Sequence, residues 1–511
     1  MSAGLAASET NPFAESLERV PAQPTALVIL GATGDLARRK LLPAVYNLAH
    51  EGALPERFCL LGVARGAMGD EQFRAMAADM IRRFSRRRPD EQVLRELLEQ
   101  TFHVESSFED PRLYDELART LQARDEEAGL PLARCFYLAT APAFFGPIVR
   151  ALGAHRLNRH EQVPVRIVVE KPFGRTLEDA QSLNRELLSV FAESQVCRID
   201  HYLGKETVQN LMALRFANQI FEPVWTRNYI ESVQITAAED LGIGGRAGYY
   251  DGTGALRDLV QNHMLQLMCH VAMEPPTEFG ADDVRNEKVK VLRAVKAPTE
   301  EDVSAMAVRG QYTAGIVAGE PVPGYLEEEG VPLDSRTETY AAVRLEVDNW
   351  RWAGVPFYLR TGKRLARQLT EIAIELKPVP HLPFAGDGAI GVRANRLVFT
   401  IQPNEGVSLS LAAKIPGPGM RIRPVNMEFL YRAAFLSQSP EAYERLILDA
   451  IRGDATLFTR GDEVEAQWRI CDPIVRAWSA SPERPPPYLA GSQGPAESAE
   501  ILLPGHIWRM I

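Results

Sequence analysis

Ala26-Leu27-Val28-Ile29-Leu30-Gly31-Ala32-Thr33-Gly34-Asp35-Leu36-Ala37 is the stretch that decides the fold. Its five leading apolar residues predict a strand of the kind buried on both faces of a parallel sheet. After the glycine turn, Leu41-Leu42 and Ala44-Val45 continue at helical spacing. A strand, a glycine turn and a helix form the phosphate-binding start of a dinucleotide-binding βαβ unit. The spacing is GxxGxxA rather than GxGxxG. Gly31 permits the tight turn, Gly34 lets a pyrophosphate approach the backbone, and Ala37 keeps the helix close to the sheet.

Further strands are expected downstream. Phe58-Cys59-Leu60-Leu61-Gly62-Val63 leads to Ala64-Arg65-Gly66. NAD-selective sites place an acidic residue near this strand end, whereas Arg65 suits a 2′-phosphate; the alternative is a surface arginine. Cys135–Thr140 and Val165–Glu170 read as two more strands, with a helix starting at Phe144 between them. The second strand leads into Lys171-Pro172-Phe173-Gly174, placing Lys171 at a C-terminal strand end, where such folds bind ligands.

Val196-Cys197 opens another strand, continued by Arg198-Ile199-Asp200-His201-Tyr202-Leu203-Gly204-Lys205-Glu206 and then by helical spacing through Met212. Gly204 is read as a turn using positive φ. His201, Tyr202 and Lys205 are donors at a helix start and suit a phosphate. Asp200 is an acceptor suited to holding a histidine in one tautomer. The alternative is a capped helix with a solvated charge run.

Beyond residue 203 the pattern changes. Strands are expected at Ser232–Thr236, Tyr340–Val347, Val355–Arg360, Glu371–Leu376, Arg396–Ile401 and Val407–Leu411, several alternating with period 2. That predicts an α+β domain whose large, mainly antiparallel sheet has one open face, a natural dimer surface. Leu256 to Val271 reads as a helix with Leu259, Val260, His263, Met264 and Leu267 on one stripe. A histidine in such a stripe is more often a core residue, but Asp258, Gln261 and Asn262 make this helix polar nearby.

At 511 residues the chain expects two or three domains, and 46% hydrophobic with 24% charged residues is a globular composition. The net charge of −10 argues against general nucleic-acid binding. No apolar run approaches a membrane span, and residues 1–22 read as a flexible tail rather than a signal peptide. Five scattered cysteines lack metal-binding spacing and fit a reducing cytoplasm. The run from Arg82 to Arg88 is read as a solvated helix end.

The run Arg198–Glu206 resembles the signature of the glucose-6-phosphate dehydrogenase family. Gly-Ala-Thr-Gly-Asp-Leu-Ala at Gly31–Ala37, Arg257–His263, Arg360–Leu365 and Tyr488–Pro495 extend that resemblance over roughly residues 25–511. It implies a Rossmann-like α/β domain over 23–203 and a substrate and oligomerisation domain over 204–511. It also implies oxidation of glucose 6-phosphate to the 6-phosphogluconolactone with hydride transfer to NADP, the first step of the oxidative pentose phosphate pathway.

By the same resemblance His263 is the base and Asp200 its partner. His201, Tyr202 and Lys205 bind the sugar phosphate, while Glu239, Asp258 and Lys363 hold the sugar. Lys171 lies between substrate and cofactor. Gly31, Ala32, Thr33, Gly34, Asp35, Leu36 and Arg65 bind the cofactor, and no metal is needed. The expected state is a cytoplasmic homodimer or homotetramer. Two departures stand out. Phe145 occupies a position where the family can have tyrosine, and Gln368, beside Arg367, stands where a second basic residue is common. A second, structural NADP is not expected. The rival readings are a Rossmann oxidoreductase acting on an unphosphorylated sugar and a catalytically inactive assembly or sensor relative.

Overall fold

The computed structural model describes residues 22–66, 68–383, 394–417, 420–431 and 440–511. Residues 1–21, nearly all of the expected tail, lie outside them.

The first sheet contains β1 (Thr25–Leu30), β2 (Phe58–Ala64), β3 (Thr101–Glu105), β4 (Ala133–Leu138), β5 (Val165–Val169) and β6 (Val196–Arg198). They are parallel and lie in the order β3-β2-β1-β4-β5-β6. Every residue of β1, β2 and β4 is buried, as continuous apolar runs covered on both faces must be. The order reverses between β1 and β4, which opens a crevice at their C-terminal ends. β3 has no apolar run to announce it, because only Thr101 and Val104 of this edge strand are buried. β4 begins at Ala133, two residues before the expected start at Cys135.

The second sheet is built from β7 (Ile230–Ala238), β8 (Ala307–Thr313), β11 (Tyr340–Glu346), β12 (Pro356–Gly362), β13 (Leu369–Leu376), β14 (Arg396–Gln402), β15 (Gly406–Lys414), β16 (Ile422–Leu430) and β17 (Pro487–Leu489). β9 (Gly315–Val317) and β10 (Glu320–Val322) form a separate hairpin. The nine strands run β16-β15-β14-β13-β7-β12-β11-β8-β17, antiparallel except for the pairs β7/β12 and β8/β17. All six strands expected here are present. The open face is narrower than expected: β7 and β12 are buried almost throughout, and exposure grows only towards β15 and β16.

Two late helices, Ala442–Arg452 and Gly461–Ala480, return to the first sheet. Trp468 donates its indole N–H to the Phe173 carbonyl at 2.9 Å, and Asn184 donates to the Gly461 carbonyl at 3.1 Å. One continuous apolar core therefore includes residues of both sheets.

Only the start of the arginine run is a solvated helix end: Arg82 and Arg83 are exposed in the last turn of the helix Asp70–Phe84. Arg82, Arg83 and Arg87 pair with Glu91, Asp79 and Glu51, and the partly buried Arg86 pairs with both Glu51 and Glu444. Among the described residues no helix is long and apolar enough to cross a membrane, and no cluster of His, Cys, Asp and Glu could hold a metal. All five cysteines are free and buried.

Candidate active site

The site forms where the C-terminal ends of β5 and β6 meet those of β7 and β12. In the first sheet, Ile199 N–H donates to the Val169 carbonyl, so Asp200 emerges beside Glu170 and Lys171. In the second, the parallel register pairs Ala238 with Gly362, so the next residues out, Glu239 and Lys363, are neighbours. Between them lies Leu256–Met264, which is π-helical and runs into the α-helix Leu265–Ala272. In an α-helix, residues five apart point about 140° away from each other. The i→i+5 winding of a π-helix brings such pairs to one side, which suits Asp258 and His263.

His263 is fully buried and donates Nδ1–H to Asp200 Oδ1 at 2.5 Å. The same oxygen accepts the Tyr202 backbone N–H at 3.0 Å. An ionised carboxylate can only accept, so Nδ1 carries the proton and Nε2 keeps its lone pair. Nε2 is itself buried and has no partner among the described residues. Tyr202 stacks on the imidazole at 4.3 Å between ring centres, and His201 meets it edge-on at 4.5 Å. Burial pulls the His263 pKa below its ordinary value, with Asp200 opposing the shift. Burial would raise Asp200, but His263 and His201 outweigh it and hold the carboxyl at about 2. The ground state is therefore a neutral imidazole beside a carboxylate, the arrangement of a general base and its orienting partner.

Around this pair the predicted residues assemble. Lys171 Nζ donates to the Asp258 carbonyl at 3.0 Å and to its carboxylate at 3.1 Å. Lys363 Nζ bonds Glu239 and lies 3.8 Å from Asp258 Oδ2. The chain Lys171–Asp258–Lys363–Glu239 thus alternates in sign. Burial raises Asp258, but Lys171 and Lys363 bring it down to about 2. Burial also keeps His201 well below the histidine range, so it is a neutral donor. Lys205 Nζ sits 4.8 Å above the Tyr202 ring and bonds Gln402 Oε1; burial lowers it to about 8.

Gly204 does not adopt positive φ. It is needed for close approach, since a Cβ there would lie 2.7 Å from the Ala442 carbonyl oxygen. His270 donates Nδ1–H to the Gln266 carbonyl at 2.9 Å, as a core histidine does. Arg367 and Gln368 are both exposed.

The cofactor cradle lies across the crevice. Gly31 has φ +98°, and a Cβ there would lie 2.4 Å from the Ala139 carbonyl oxygen. The turn therefore packs against the backbone beyond β4 too closely for any side chain, and its positive φ is the tight turn that the first glycine of such a motif makes. Ala32 and Ala37 are buried, while Thr33, Gly34 and Leu36 are partly exposed and Asp35 is exposed. Arg65 follows β2, is exposed, and makes no side-chain hydrogen bond or ion pair among the described residues. Phe145 is buried at a helix start.

Four participants escaped the sequence. Gln402 reaches Lys205 from the end of β14, and Thr370 on β13 bonds the Tyr202 hydroxyl. Tyr137 donates to the buried Glu170 at 2.5 Å, and the Tyr443 hydroxyl faces that carboxyl, which burial pushes up to about 7. Each reaches the site from a distant element, and no local motif marks it.

The family model of the glucose-6-phosphate dehydrogenase NAD binding domain matches residues 28–210, and that of the C-terminal domain matches residues 212–509. The chain is 47% identical over 509 residues to glucose-6-phosphate 1-dehydrogenase 2 of Mycobacterium tuberculosis, covering 99% of this chain and 98% of that protein. It is 47% identical over 491 residues to glucose-6-phosphate 1-dehydrogenase of Rhizobium meliloti, covering 95% and 98%. A solved glucose-6-phosphate dehydrogenase in complex with its substrate glucose 6-phosphate superposes with a TM-score of 0.86 at 33% identity, over 96% of this chain and 99% of that one. The glucose-6-phosphate 1-dehydrogenase of Mycobacterium avium gives 0.82 at 37% identity, over 96% and 98%.

Proposed function

The chain belongs to the glucose-6-phosphate dehydrogenase family, and from that membership we propose how its residues divide the reaction. It is an NADP-dependent oxidoreductase that converts D-glucose 6-phosphate to 6-phospho-D-glucono-1,5-lactone, the entry step of the oxidative pentose phosphate pathway. When bound, the nicotinamide supplies the electrophile that accepts hydride from the anomeric carbon.

His263 Nε2 takes the proton of the anomeric hydroxyl, and Asp200 orients the ring and stabilises the imidazolium. The sugar hydroxyls lie on Asp258 and Glu239, with Lys171 and Lys363 holding the Asp258 carboxyl ionised and Lys363 bonding Glu239. The phosphate lies on His201, Tyr202 and Lys205, with Gln402 giving up its bond to Lys205. The backbone from Gly31 to Leu36 cradles the pyrophosphate at the helix start, and Arg65 takes the 2′-phosphate. The carrying observation is the buried Nε2 of His263, unpartnered among the described residues, whose opposite nitrogen is fixed by Asp200 beside a three-donor cluster.

The test is reduced-nicotinamide absorbance with purified protein. Glucose 6-phosphate with NADP should turn over with kcat/KM at least ~10² above free glucose, since remote binding energy positions the reacting carbon. Equal turnover of the two sugars favours the unphosphorylated-sugar reading, and no turnover favours an inactive relative.

The division of the chain at 203/204 follows the gap between β6 and β7. A cytoplasmic homodimer or homotetramer is supported by the exposed Met427, Phe429 and Leu430 on edge strand β16 and by five buried free thiols. Light scattering on the full chain checks the oligomeric state, and a monomer would remove it.

A further inference from the structure

The helix Ala442–Arg452 starts at the seam between the two ligand sites, and successive residues there touch different ones. Glu441, just ahead of it, pairs at 2.9 Å with Lys40, in the helical stretch Ala37–Leu41 behind the glycine turn. Glu444 is buried, accepts from Asn47 at 2.8 Å on the continuing helix Leu42–His50, and takes Arg86 at 2.7 and 2.8 Å through its two oxygens. Ala442 is the residue whose close approach requires glycine at 204. Tyr443 turns inward. Its ring lies nearly parallel to that of His201, with centres 6.1 Å apart and planes inclined by 15°. Its hydroxyl faces the Glu170 carboxyl, which accepts from Tyr137 at 2.5 Å. Glu170 immediately precedes Lys171.

The geometry points to Tyr443 as a positioning residue that ties the phosphate-binding turn to the cofactor cradle, so that each ligand orders the segment the other needs. This rests on the assignment of His201 and Lys205 to the substrate phosphate. A phosphate held by His201 fixes the ring that Tyr443 packs against. The tyrosine hydroxyl then fixes Glu170, and with it the backbone that aims Lys171. Lys40 and Asn47 carry the same constraint from residues 441 and 444 to the helix behind the glycine turn. Ordering these groups costs conformational entropy once, and the ligand that arrives second is spared it. Linkage makes the effect reciprocal.

Tyr443→Phe keeps the ring against His201 and removes only the hydroxyl. The readout is NADPH affinity, followed by NADPH fluorescence, with and without saturating glucose 6-phosphate; the reduced cofactor cannot turn the sugar over. In the wild type, glucose 6-phosphate should tighten NADPH by about 5-fold or more, the lower end of ordinary coupling. In Tyr443→Phe the factor should fall by about 2-fold or more, because the branch through Glu170 is lost while the pairs of Glu441 and Glu444 remain, with the unfolding temperature unchanged. Tyr443→Ala should show the same loss together with a raised KM for glucose 6-phosphate. A wild-type factor of one, or a wild-type factor retained in Tyr443→Phe, overturns the proposal. If Tyr443→Phe does not fold, Glu441→Gln tests the exposed end of the same segment. It should cut the factor about 2-fold, the scale of one surface ion pair, and an unchanged factor overturns the proposal. Turnover of glucose 6-phosphate by the wild type is measured separately, so a failed phosphate assignment is distinguishable from a failed coupling.

Discussion

Replacing Asp200 by Asn changes one charge at the centre of the site. The carboxylate receives Nδ1–H of His263 at 2.5 Å, with both side chains buried. In the transition state the imidazole becomes an imidazolium, and the bond between them becomes a buried ion pair. A hydrogen bond to a charged group contributes about 1.5–3 kcal/mol, which corresponds to roughly 10- to 150-fold in kcat. The loss grows if the amide presents its N–H₂ to Nδ1, because the proton then moves to Nε2 and the lone pair is lost where it is needed. The pH profile gives an independent sign. Burial lowers the His263 pKa, and Asp200 is the largest opposing influence. Removing the carboxylate therefore lowers that pKa further. Since kcat/KM falls as the free base is protonated, the acid limb should move to lower pH in Asp200→Asn even as the plateau drops. Steady-state absorbance assays from pH 5 to 9 on wild type and variant measure both. A kcat within 2-fold of the wild type, or an acid limb displaced to higher pH, refutes the assignment.

His263→Asn should leave KM for glucose 6-phosphate nearly intact and lower kcat by ~10²–10⁴, as expected for a lost general base; near-normal kcat in the folded variant sinks the role. Arg65→Ala should weaken NADP by roughly 10- to 150-fold, the value of a charge-assisted bond, and NAD hardly at all; equal losses in a binding titration mean that Arg65 is not the selector. Lys205→Ala should cut kcat/KM for glucose 6-phosphate by ~10² or more with little change for free glucose, and an equal proportional loss moves the phosphate site elsewhere. Burial brings Lys205 to about 8, so it is charged below that pH and neutral above it. Wild-type kcat/KM for the phosphorylated sugar should accordingly fall as pH rises through 8, and a flat profile to pH 9.5 would show that the ammonium is not used.

The sequence alone determined the features that depend on neighbours in the chain. The β1 strand and its glycine turn are local, because a run of apolar residues specifies double-sided burial and Gly31 specifies a backbone conformation. The six strands of the second sheet were legible for the same reason, and motif matches singled out the candidate site residues. Partnership was decided only by the tertiary structure. Periodicity records whether a residue is buried, not what it is buried against. Asp200 and His263 are 63 residues apart, and Lys205 and Gln402 are 197 apart, so the tertiary fold had to bring the elements that carry them together. The same ignorance misread Arg86, whose counter-charge Glu444 lies 358 residues away. It missed Tyr443 altogether and gave Gly204 the wrong reason, since the nearby Ala442 backbone excludes a side chain there. The winding of Leu256–Met264 was likewise invisible, because the stripe of apolar residues is compatible with an α-helix. Packing against β7, β11 and β12 accompanies the wider π-turn that turns Asp258 and His263 to the same side.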